Sequence, residues 1–547
     1  METSLSVNRK IVLWGALVTT ILIIPNSYDP VSFPKSFILI LFVSTALTAF
    51  IWKNGLSSLK PHDFLDYLLF AFFVIAFLNV LINHNALEER IFGVSGRAIG
   101  LLTLFACAIL MLLVRRIDIQ QRDLIKFLLI ANLIVSLYFL SQKFGFEIGK
   151  YQEYYGAPSS TLGNPNFVSG FIGFSAISAL VLLDSKKKRF PMQLLILLVL
   201  LLNIWVIKES ISIQGVVALG VSFFVFVLAT FYGRPSLLLP TFVIGLLLSS
   251  LSLLGFFGLG PASNFFSSTT VYSRLDYWRA AIAMTLNRPF TGHGLDAFGD
   301  NYRLFRDQAA FERFGESQVT DSAHNIYLDF FAAGGVLFGI LFIGFNLIPL
   351  LIFIKSFKSK SRIKLVDRLM ISLWFGFQIQ ALISPNQIGI FVWIWIILGV
   401  LSRNSRVVTP AEGLMKKKLI SDPSRFSRIS SAFVSAVVVT LAFLPLKNNV
   451  DFLTQGNKAD GLALKSVALR FPQDSKMIAL VAQGFQNANY PRESADILRV
   501  GLEHNPNSFT LWKLLYDNKE ISSAERLMVR GQLNRLEPRV TWPVTKQ

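Results

Sequence analysis

Thirteen apolar runs punctuate the chain, at about residues 10–26, 36–52, 64–82, 98–114, 124–140, 166–183, 191–207, 214–231, 237–258, 325–354, 369–384, 388–401 and 430–446. A helix needs roughly 20 apolar residues to cross the hydrocarbon of a bilayer. A helix satisfies every backbone N–H and C=O within itself there. The expected fold is therefore all-α: a polytopic membrane bundle of about 13 spans, the first and twelfth being the shortest. The first run is followed by no small-residue cleavage site and by further spans, so it reads as an anchor.

Composition agrees, with 53% hydrophobic, 13% aromatic and 16% charged residues, richer in apolar side chains than a soluble domain. A net charge of +19 and a pI near 9.9 do not call for nucleic acid. Membrane proteins gather Lys and Arg in cytoplasmic loops, and that bias sets orientation. With the N-terminus inside, the cytoplasmic segments hold thirteen basic residues up to Arg234, six more between 355 and 368, and seven between 403 and 428. The short external loops hold six: Lys35, Arg90, Arg97, Lys143, Lys150 and Lys208. The N-terminus is thus expected in the cytoplasm, and the loop at about 259–324 and everything after 446 outside. The one cysteine, Cys107, lies in an apolar run, where one chain can build neither a disulfide nor a thiolate metal site.

Residues 1–446 form the expected membrane domain, and 447–547 a small soluble helical tail. Pro472 recurs as Pro506, 34 residues on, and as Pro538 after 32 more. Between them Ala479, Ala482, Phe485, Ala495, Leu498 and Leu502 keep helical spacing. A period near 34 with proline closing each pair is tetratricopeptide-like, and about two and a half repeats would lean on the membrane domain or on a protein partner. A helical tail without repeats fits the same residues.

The external loop carries the candidate chemistry. In YSRLDYWRAAIAMTLN (272–287), Leu275, Trp278, Ile282 and Leu286 make an apolar stripe suited to a membrane face, flanked by Arg274 and Arg279. RPFTGHGLDAFGDNY follows, with glycines that allow tight turns. In TDSAHNIYLDFF, Asp321 or Ser322 can cap the tenth span, which puts His324 in its first turn. The positive helix end there disfavours imidazolium, and a neutral imidazole can take a proton from an attacking hydroxyl. Asn325 can orient the ring or a sugar hydroxyl. Arg97 and Arg274 can each grip a phosphate. An interfacial histidine bonded to water, with arginines as membrane-edge anchors, is the plainer alternative.

Three stretches together resemble the O-antigen ligase and polymerase superfamily: TLGNPNFVSGF (161–171), SRLDYWRAAIAM with RPFTGHGLDAF (273–298), and HNIYLDFFAAGG (324–335). The resemblance covers roughly residues 90–400, and some members carry a similar tail. It implies a GT-C-like bundle catalysing metal-independent, inverting glycosyl transfer on the outer face of the plasma membrane, with no cofactor. The donor would be an undecaprenyl diphosphate-linked glycan, and the acceptor hydroxyl would belong to a glycolipid, a glycan or a protein. By the same resemblance His324 is the base, Arg274 holds the diphosphate, and Arg97 is a further candidate for that anion. In KESISIQGVVAL (208–219), Gln214 stands where the family often has arginine, so Lys208, Arg97 or Arg279 would have to compensate. A transporter, or a scaffold presenting the tail to partners, is the alternative from another class. Charge concentrated at the membrane edges, away from the midplane, favours the enzyme.

Overall fold

The computed structural model describes residues 2–148, 156–184, 189–261, 263, 269–316, 319–355, 363–403 and 424–543. Lys150, residues 186–188, most of the basic residues at 355–368 and 403–428, and positions 262, 264–268, 317 and 318 of the long loop lie outside the described residues.

Every apolar run is helical, and no strand occurs among the described residues. Nine helices there are long and apolar enough to cross a membrane: Ser32–Asn54, Phe64–Ile82, Gln121–Lys143, Pro165–Leu183, Phe190–Glu209, Ile213–Phe231, Pro235–Ser252, Ile326–Lys355 and Arg425–Asn457. The runs at 10–26, 98–114, 369–384 and 388–401 correspond to Glu2–Ile21, Leu101–Arg116, Leu365–Ile383 and Ile388–Arg403. The last of these is buried along its whole length from Ile388 to Ser402, so its brevity reflects a helix surrounded by protein. The chain is a polytopic helical bundle.

The Ile326–Lys355 helix is broken at Gly335, whose φ is +77°. The break is filled by the turn at 288–294. His293 N donates to Ala332 O (2.9 Å), Gly294 N to Ala333 O (3.0 Å) and Val336 N to Pro289 O (2.7 Å). Asn79 Nδ2 adds bonds to Thr291 O and Ala333 O at 2.7 and 2.9 Å. Irregular backbone at membrane depth survives only where protein satisfies it in this way. A Cβ on Gly335 would meet Pro289 O at 2.4 Å, and one on Gly292 would meet Ala333 O at 2.3 Å. The glycines of the GHG turn and of the helix are thus one joint.

The Thr269–Asn287 helix turns Tyr277, Ala280, Ala281 and Met284 inward against Ala323 and Ala332. Its outer stripe leaves Ile282 and Leu286 exposed. The Arg425–Asn457 helix continues unbroken past residue 446 and is followed by Gly461–Ala468, Ser475–Asn487, Pro491–His504, Phe509–Asp517 and Ser523–Leu536. These five close a core of their own around Ile478, Ala482, Leu498, Leu511 and Leu533. Ser475 and Phe509, the first residues of two of them, stand 34 positions apart.

At the end of the bundle away from this tail, Arg115 is 1% exposed and pairs with Asp63 and Asp66, and Arg116 reaches Asp66 at 3.0 Å. Removing one partner from such a group strands buried charge. Asp66→Ala is therefore expected to cost about 3–5 kcal/mol, read as a lowered unfolding midpoint in detergent. An unchanged midpoint would show that water reaches these arginines.

Candidate functional site

Loops that are far apart in sequence meet at the tail end of the bundle around a cavity of about 1070 Å³. Because successive membrane helices alternate in direction, about half of them begin at this end. Three of those beginnings line the cavity: the start of Pro165–Ser175, the start of Ile213–Phe231, and the segment leading into Ile326–Lys355. Helix starts carry unsatisfied N–H groups and a partial positive charge, which suits anions.

His324 lies in the wall, but the structure corrects its expected setting. The helix begins at Ile326 and is capped by Asn325, whose Oδ1 accepts from Tyr327 N (3.0 Å) and Leu328 N (3.2 Å). Asp321 and Ser322 are not the cap, because Asp321 is held by Arg97, and Asn325 is placed one residue before the helix. His324 precedes the cap in the left-handed region, φ +52°. That conformation costs a non-glycine residue about 1–2 kcal/mol, and such strain collects at working sites. Ile211 (φ +53°) and Asp296 (φ +54°) in the same cavity share it. The imidazole lies 5.4 Å from the Tyr277 ring, and its backbone N–H donates to Ser322 Oγ at 3.3 Å.

The imidazole is neutral for a different reason from the one its position suggested. Burial lowers its pKa first, the Arg97 and Arg274 guanidiniums lower it further, and Asp321 opposes them, leaving it at about 3. Arg97 donates from Nε to Asp321 Oδ1 at 3.0 Å, with a second, shorter contact from Nη2. Burial alone would lower the Arg97 pKa, but Asp321 raises it. In return, Arg97 and Lys476 outweigh burial and hold the Asp321 carboxyl below its usual range. Asp296 fixes this arginine's loop by accepting from Val94 N (2.8 Å) and Ile99 N (3.2 Å), and burial pushes its pKa up to about 6.

Arg274 is 8% exposed and lines the cavity. Among the described residues no carboxylate pairs with it, and burial lowers its pKa. A buried guanidinium without a counterion is costly alone and strongly attracts an anion. Gln214 also lines the cavity, fully buried, and its Oε1 has no hydrogen-bond partner among the described residues. Asn164, in the NPN stretch, caps its helix by accepting from Asn166 N at 2.8 Å.

The structure therefore brings together His324, Arg274, Arg97 and Gln214. Arg279 does not line the cavity. It is half-exposed and pairs with Asp276 and, at 3.0 Å, with Asp307, tying the Thr269–Asn287 helix to the segment after it. Asn325 serves the helix start. Sequence reasoning missed Asp296 and the tail residues Lys476 and Ser508, which reach the cavity only through long-range packing. Among the described residues, no group of three His, Cys, Asp or Glu side chains could hold a metal ion.

A family model described as O-antigen ligase matches residues 196–343. That stretch contains Gln214, Arg274 and His324 but neither Arg97 nor the tail. The match supports the O-antigen ligase superfamily and, in general terms, its kind of glycan transfer. No curated protein matches the chain.

The depressed imidazole pKa has a testable sign. Between pH 6.5, the ordinary value, and about 3, the folded protein binds fewer protons at His324 than the unfolded chain does, so stability falls as pH drops through that window. His324→Ala is expected to reduce this acid-side loss in thermal unfolding. In labelled-histidine NMR the His324 ring should stay neutral from pH 7.5 to 5. Titration near 6.5 would contradict the site as described.

Proposed function

We propose that this chain transfers a glycan from a polyprenyl diphosphate carrier, undecaprenyl diphosphate in the resembled enzymes, to an acceptor hydroxyl on the extracytoplasmic face. The observation that carries the reading is the buried, uncompensated Arg274 in one cavity with a neutral His324 and three membrane-helix starts. Among the described residues, Arg115, Arg116, Arg403 and Arg428 gather at the opposite end of the bundle, which supports a cytoplasmic N-terminus and an external cavity.

The diphosphate fits against Arg274 and the starts of the Pro165–Ser175 and Ile213–Phe231 helices, at the level where the carrier's lipid is still in the bilayer. Gln214, an uncharged amide, stands there and lacks arginine's charged bidentate grip. The acceptor hydroxyl gives its proton to His324 while its oxygen bonds to the anomeric carbon. The carbon–oxygen bond to the diphosphate breaks, and the carrier leaves with the electron pair. One displacement of this kind inverts the anomeric centre. The charge growing on the leaving group meets Arg274 and the helix ends, which require no reorientation as it develops. This is the metal-independent route.

A pKa of about 3 makes a feeble base. Burial is the largest of the three effects that lower it, and the positive charges of Arg97 and Arg274 are the other two, so a bound diphosphate offsets those charges and raises basicity as the donor arrives. Farnesyl diphosphate added to the protein is accordingly expected to raise the His324 pKa by at least one unit in NMR titration. No change would separate the anion site from the imidazole.

Reconstituted transfer tests the reading. His324→Ala is expected to lose roughly 10²–10⁴-fold in kcat with donor binding retained. Arg274→Lys keeps the charge but loses the fork and should mainly raise KM for the donor. Wild-type-like transfer by His324→Ala would remove the proposed base.

A further inference from the structure

The membrane bundle alone does not enclose the cavity. Asp474, Ser475, Lys476, Ser508, Phe509 and Thr510 of the tail complete its wall. The tail is fastened in place. Arg306 and Glu537 are buried and paired, at 1% and 0% side-chain exposure. Asn505 Nδ2 donates to Asp300 (3.0 Å) and Glu89 (3.3 Å), and Lys513 reaches Glu316 at 2.9 Å. Arg303, from the long loop, lies over the Phe509 ring at 4.0 Å.

Two tail helices begin at the cavity, and their starts differ. Ser475–Asn487 is capped by Asp474, whose Oδ1 accepts from Lys476 N and Met477 N. Phe509–Asp517 has no side-chain cap bond at Ser508. Ser508 is 5% exposed, lines the cavity, and has no partner for its hydroxyl among the described residues. Thr510, one turn edge further, is exposed beside it. The Ser508 hydroxyl and the uncapped N–H groups of this turn are open to the cavity, where a ligand with both donors and acceptors would bond to them in place of water.

We propose that Ser508, Thr510 and the opening N–H groups of the Phe509–Asp517 helix bind a sugar residue of the transferred or accepting glycan. The tail is then part of the substrate site. The inference rests on the glycosyl-transfer reading. The carrier's lipid holds the diphosphate where the membrane helices begin, so what reaches the tail side of the cavity is glycan. Sugar hydroxyls both donate and accept, matching Ser508 and Thr510. Lys476, beside the same wall, is occupied by Ser95 O at 2.6 Å and closes the edge next to Arg97.

The test uses the full-length protein in proteoliposomes. Donor is the polyprenyl diphosphate glycan extracted from cells lacking this gene, and acceptor is the envelope glycan fraction of the same cells. Ser508→Ala and Thr510→Val, the second an exposed position that folding does not depend on, are expected to raise one KM about 2- to 10-fold with kcat retained, the range for one lost hydrogen bond. A rise in the donor KM places donor sugar on the wall, and a rise in the acceptor KM places acceptor sugar there. Active wild type with both KM values unchanged in both variants overturns the wall and leaves the transferase reading standing. Inactive wild type overturns that reading, and the wall with it.

Discussion

The bond between Arg97 and Asp321 holds the candidate site together. It ties the loop before the Leu101–Arg116 helix to the turn before Ile326–Lys355, and His324 sits three residues beyond Asp321. Arg97 needs Asp321 because it is largely removed from water, and Asp321 keeps its charge because Arg97 and Lys476 are close. The pair leaves Arg274 as a buried guanidinium in the wall with no paired carboxylate among the described residues. The division of labour follows from pairing: one guanidinium is structural and electrostatic, the other is open to an anion.

The bilayer explains why so remote a set of loops converges. Helices must run through, so every polar connection is pushed to one end or the other. Alternating direction then delivers several helix starts to the same end, and three of them line the cavity. Positive helix ends, a buried arginine and a neutral imidazole thus share one surface, and the proposed transfer uses all three. The Gly335 break serves the same end. It lets the 288–294 turn lock into the helix and sets the position of the following loop.

Much of the architecture was legible because it is local. Apolar length marked each long membrane helix, whereas the start expected after a cap at Asp321 or Ser322 falls at Ile326, with His324 outside the helix. The partition of roles within that start was not legible. Asn325 took the cap because it lies one residue before Ile326, while Asp321 was claimed by an arginine 224 positions away. The cause of imidazole neutrality was likewise misread as the helix dipole, since burial and the Arg97 and Arg274 charges arise only from folding. Arg279 was a candidate to compensate for Gln214, yet it and Arg274 lie on different faces of one helix, and Asp276 and Asp307 claim Arg279. The tail's part in the cavity wall has no local signature at all, because Ser508 and Lys476 look like ordinary helix-start residues.

The most direct measurement is an electron cryomicroscopy map of the protein in nanodiscs with a farnesyl diphosphate-linked sugar analogue that cannot react. The account predicts diphosphate density within hydrogen-bond distance of the Arg274 guanidinium, with the anomeric carbon facing His324 across the same cavity. Diphosphate density elsewhere, with Arg274 still uncontacted, would contradict it.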